Sequence, residues 1–87
     1  MVSQMRRAAV SVPANIAEGY NRQHRKEYVQ FLSVANGSLA ELETYLLLAQ
    51  DLGYLRPEAF GILSDLQAEV ARLLHGLLRS LKAEGAP

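Results

Sequence analysis

At 87 residues, with 49% hydrophobic side chains and no cysteine, the chain is at most one domain, near the lower size limit for a self-sufficient core, and has no disulfide or thiolate metal site. Nine bases balance nine acids, which argues against a protein that holds nucleic acid by bulk charge. Charged residues interrupt every apolar run well before the ~18 residues of a membrane span, and Pro13 and Asn15 break the signal-like stretch after Arg6-Arg7, so a cytoplasmic protein with no membrane partner is expected.

The first predicted helix covers about residues 3–18. Val2, Met5, Ala9, Val12, Ile16 and Tyr20 recur three or four apart and form an apolar stripe. Arg7, Ser11, Asn15 and Glu18 form a polar stripe beside it. Pro13 removes one backbone donor and is expected to kink the helix, and Gly19 supplies a left-handed end. A polar connection over 21–25 makes the flanking helices antiparallel neighbours. The second helix, about 25–52, keeps the spacing through Tyr28, Phe31, Leu32, Ala35, Leu39, Leu42, Leu46, Ala49 and Leu52. Gly53 ends it and Pro57 opens the third. That helix runs over about 57–82, with Ala59, Leu63, Leu66, Val70, Leu73, Leu77 and Leu81 on one face, widened by Leu74 and Leu78. Residues 84–87 are expected to fray. The fold is therefore all-α, a single antiparallel up-and-down helical bundle over 1–87. Its wide apolar faces exceed what three unequal helices can cover, so another helix or another subunit is expected.

The charges are sorted along the chain. Residues 1–26 set five bases against Glu18, residues 27–69 set seven acids against Arg56, and residues 70–87 set three bases against Glu84. With the short connection, facing residues of the first two helices are expected to sum to roughly 44–48. Arg6 and Arg7 then oppose residues 38–41, and Ser11 opposes residues 33–37. Arg6, Arg7, Ser11, Asn15, Gly37, Glu41 and Glu43 read as an inter-helix polar seam, with arginine–glutamate pairs fixing register. Phosphate binding by Arg6 and Arg7 is the alternative. Gly37 costs about 1 kcal/mol inside a helix relative to alanine, which the close approach of another backbone would offset. Arg22, Arg25 and Lys26 cluster in the connection as solvated charge or as a phosphate contact. His24 and His75 lack ligand spacing, so no metal is expected. Glu18, Glu41 and Glu43 have no nucleophile, metal pair or phosphate loop beside them, so neither catalysis nor a cofactor is expected.

QMRRAAVSVPANIAEG (4–19) and KEYVQFLSVANGSLAELETYLLLAQDLGYL (26–55) together resemble the four-helix-bundle proteins first noticed as reading frames inside intervening sequences of bacterial 23S ribosomal RNA genes. Residues 56–82 match only as an amphipathic helix. The resemblance implies a helical bundle that assembles into a ring, often a homopentamer, with no enzymatic activity. It also implies kinship with the accessory protein of diversity-generating retroelements, which binds nucleic acid and a reverse transcriptase. Family members carry another helix before the QMRRA segment, so three of four helices are expected here, through a late start or a truly short member. His24 stands where many relatives have a serine suited to capping the second helix. The resulting expectation is an oligomer that binds structured RNA or an RNA–DNA hybrid through Arg22, Arg25 and Lys26. The alternative is an oligomeric adaptor that docks a protein partner such as a reverse transcriptase.

Overall fold

The apolar spacing of the sequence becomes three helices in the computed structural model, which describes residues 1–84: α1 (Val2–Tyr20), α2 (Arg25–Asp51) and α3 (Pro57–Glu84). No strand occurs among the described residues. The fraying expected of the last residues falls on 85–87, outside that range.

α1 continues unbroken through Pro13 and past Gly19. Gly19 is helical, not left-handed; Gly53 is the one described glycine with positive φ, at 78°. Gly19 is small for another reason. A Cβ there would lie 2.8 Å from the Phe31 Cβ and 3.0 Å from the Tyr28 Cδ1, so α1 and α2 pack in contact where the chain reverses. α2 closes differently. The Gly53 N–H donates to the Gln50 carbonyl at 3.0 Å and the Tyr54 N–H to the Ala49 carbonyl at 2.8 Å. This paired closure satisfies two end carbonyls and requires the left-handed glycine.

α2 is the central element, with α1 and α3 antiparallel to it on either side. Val12 of α1, Leu32, Ala35 and Leu39 of α2, and Leu74 and Leu78 of α3 form one buried cluster. The α2–α3 side is fixed by two polar contacts: the buried Gln67 amide donates to the Leu39 carbonyl at 3.3 Å, and the His75 Nε2 meets the Asn36 Oδ1 at 2.8 Å. No Cα of α1 comes within 8 Å of one in α3. The Cα trace is a slab of 49 × 21 × 14 Å, a helical bundle with one helix position open.

The burial pattern of α3 differs from the expected face. Gln67, Leu74 and Leu78 are buried, while Leu63, Leu66, Val70, Leu73 and Leu77 remain exposed. Periodicity marks the whole wide apolar face of a helix, and a single neighbour covers only one edge of it.

Candidate functional site

The open position is a groove of ≈ 760 Å³ along α2, walled by α1 and α3. Met5, Ala9 and Pro13 face it from α1, Leu42 and Leu46 form its floor, and Leu66 stands on the α3 wall. Pro13 has no N–H to offer the Ala9 carbonyl, so α1 also presents a backbone acceptor there. Arg6 lines this groove, whereas Arg7 lies in a second one. Adjacent residues on a helix differ by about 100° in direction, which places the two arginines on different grooves.

The second groove, ≈ 400 Å³, runs between α1 and α2 on the other side. At its floor the Ser11 and Ser38 hydroxyls hydrogen-bond at 2.8 Å, and the Asn15 amide donates to both the Ser11 hydroxyl (2.9 Å) and the Ser11 carbonyl (2.8 Å). Ser11 therefore faces Ser38, in a pair whose numbers sum to 49, beyond the expected 33–37. Because α1 stays helical through Tyr20, the reversal falls later than a helix ending at Gly19 requires. Arg7, Glu41 and Tyr45 line the same groove. Arg7 and Glu41 are exposed, and neither enters an ion pair among the described residues. Glu43 is exposed and lines neither groove. The seam that fixes register is thus hydroxyl and amide, not the expected arginine–glutamate pairing.

Gly37 does not meet a second backbone. A Cβ there would find nothing within 4 Å.

Arg22, Arg25 and Lys26 are all exposed at the α1–α2 end of the molecule. Arg22 is held by carboxylates, with Nη2 2.6 Å from the Glu18 Oε1 and Nη1 3.7 Å from the Glu27 Oε2, and it stacks 4.9 Å from the centre of the Phe31 ring. Tyr20 and Tyr28 meet edge to face beside it. The expected three-cation tip therefore includes two acids. Sequence reading placed Glu18 on the α1 polar stripe but did not connect it with Arg22, four residues on, the ordinary spacing of a helical ion pair.

Among the described residues no three His, Asp or Glu side chains gather where they could hold a metal ion, and no helix is long and apolar enough to cross a membrane. What the chain presents is an all-helical scaffold with one apolar and one polar groove. The family model described as 23S rRNA-intervening sequence protein matches residues 1–76. The chain belongs to that family. No curated protein matches it.

Proposed function

We propose that the chain is a non-enzymatic, self-associating cytoplasmic adaptor whose apolar groove between α1 and α3 receives an amphipathic helix of a partner protein. The observation that carries this reading is the groove itself. Two helices of 19 and 28 residues flank an open, leucine-rich floor at the position a fourth bundle helix occupies. Helix-in-groove recognition needs such an apolar trough, with anchors at three/four spacing on the incoming helix. Leu63 and Leu66 of α3, 39% and 54% exposed, line the same groove, and exposed apolar surface of this kind supports an interaction site. The test is a titration of the isotope-labelled chain with a synthetic 20-residue leucine–alanine amphipathic helix. Resonances of Met5, Leu42 and Leu66 are expected to shift, those of His24 and Lys26 to stay, and Leu66→Asp to abolish the shifts. Saturation without groove shifts, or binding unchanged in Leu66→Asp, would refute it.

The nucleic-acid reading keeps one supporting observation, the exposed Arg22, Arg25 and Lys26 at one end of the molecule. Glu18 and Glu27 beside them leave one excess positive charge per copy, so binding at physiological salt needs repetition around an assembly, such as the pentameric ring that the resemblance implies. A titration with short structured RNA across salt concentrations separates the readings. A nucleic-acid role requires affinity that falls with salt and a shallower slope when all three cations are changed to alanine.

A further inference from the structure

The apolar groove is polar at few points, and two of them lie one turn apart on its α1 wall. Arg6 is the one charged residue among those that line it. Further along α1, Pro13 leaves the Ala9 carbonyl without its helical donor, and Ala9 and Pro13 both line the groove. Residues 6, 9 and 13 share a helix face at steps of three and four. The cation and the acceptor are therefore offset by roughly 4.5 Å along the axis. The floor answers neither. Leu42 and Leu46 offer only hydrocarbon there, and the Gln67 amide already donates to the Leu39 carbonyl.

We infer that the partner helix lies with its C-terminus at the Arg6 end and carries a carboxylate for Arg6. One turn nearer its own N-terminus it carries a hydroxyl or amide donor for the Ala9 carbonyl. The inference rests on the helix docking of the proposed function and names the chemistry of that partner. Direction follows from the fold. α1 and α3 are both antiparallel to α2, so they start at the same end of the groove. A helix between them packs antiparallel to both in an up-and-down bundle, with the negative end of its dipole beside their N-termini. Charge complementarity selects the carboxylate. A leucine or lysine facing Arg6 would drive the guanidinium out of the groove or bury it unpaired, whereas a carboxylate accepts two parallel bonds from it. The donor follows from the same physics, because an apolar residue laid over the Ala9 carbonyl would bury an unmet acceptor. A wholly apolar trough would accept an amphipathic helix in either direction; these two points fix direction and register.

The experiment titrates the isotope-labelled full chain with two 20-residue leucine–alanine helices of one composition. Each carries a glutamine and, three residues on, a glutamate, near the C-terminus in one peptide and near the N-terminus in the other. Measuring both against Arg6→Glu removes differences in the peptides' own helicity, and circular dichroism verifies that the variant stays helical. Arg6→Glu is expected to weaken the C-terminal-glutamate peptide at least about tenfold and to leave the other nearly unchanged. Lysine in place of that glutamate should restore binding to the variant. A spin label on the peptide C-terminus is expected to broaden Met5 and Leu55, not Ile16 and Val70. Leucine in place of the glutamine should cost about fivefold, and nothing in Pro13→Ala, which returns an N–H to the Ala9 carbonyl. Equal effects of Arg6→Glu on both peptides, broadening at Ile16, or a glutamine effect that persists in Pro13→Ala would overturn the inference while leaving helix docking intact. Concentration-dependent shifts of Met5 and Leu66 without peptide would make a second copy the occupant and overturn it as well. If neither peptide shifts a groove resonance, the proposed function fails and the inference falls with it.

Discussion

Two glycines on neighbouring helices carry opposite predictions. At Gly19 an added methyl meets the Phe31 Cβ at 2.8 Å and the Tyr28 carbonyl at 3.3 Å, neither of which is a flexible chain end. Gly19→Ala is therefore expected to destabilise the chain by about 1–3 kcal/mol in urea unfolding. Gly37→Ala meets open space and should stabilise it by up to about 1 kcal/mol, the helix-propensity difference. Equal effects at both positions would contradict the packing described here. The sequence points to Gly37 as the site of close approach and to Gly19 as a helix end; Gly19 makes the close approach and Gly37, in the middle of α2, makes none, because helical spacing does not reveal which glycine faces a neighbouring backbone. Glu41 follows the same logic. A buried pair with Arg7 would make Glu41→Ala cost about 3–5 kcal/mol. Both side chains are exposed and share no ion pair, so in the dissociated chain the loss is expected within about 0.5 kcal/mol.

At the scale of whole helices the sequence was most informative. Continuous three/four apolar spacing over α2 and the Gly53–Pro57 break located the helices to within two residues at each end, since both signals act locally. The N-terminus of α2 is the weak point of that element. His24 takes the extended N-cap conformation, φ −108° and ψ 132°, yet its side chain makes no capping bond. His24→Ser supplies a hydroxyl acceptor for an orphan N–H and is expected to add about 1 kcal/mol, read as a higher thermal midpoint. The two grooves were less legible. The α1 residues Val2, Met5, Ala9, Val12 and Ile16 form one uniform apolar stripe at helical spacing, but only Val12 of the five is buried and all five line the α1–α3 groove. Hydropathy is the same for a residue that packs and one that waits for a partner.

For the whole molecule, the open bundle position governs behaviour in solution. Leu63, Leu66, Val70, Leu73 and Leu77 along α3 form an exposed apolar strip of the kind that monomeric proteins rarely leave uncovered. Sedimentation at micromolar concentration is therefore expected to show association, and a well-behaved monomer would argue against it. Leu66→Asp and Leu73→Asp together should reduce the binding of an apolar fluorescent dye while leaving helicity intact, because neither side chain belongs to the buried cluster.

The separation of α1 from α3 also bears on how the chain folds and how its parts communicate. Each tertiary backbone contact between helices joins α1 to α2 or α2 to α3, elements consecutive in the chain. Such a topology has low contact order and is expected to fold in microseconds to milliseconds. Substitutions on the outer surfaces of α1 and α3, which share no partner, should then add in their effect on unfolding free energy to within about 0.5 kcal/mol. A helix seated between α1 and α3 would touch both walls at once. Double-mutant cycles across the groove that are silent in the free chain should acquire a coupling term on its arrival, so that the ligand itself would complete the cooperative unit.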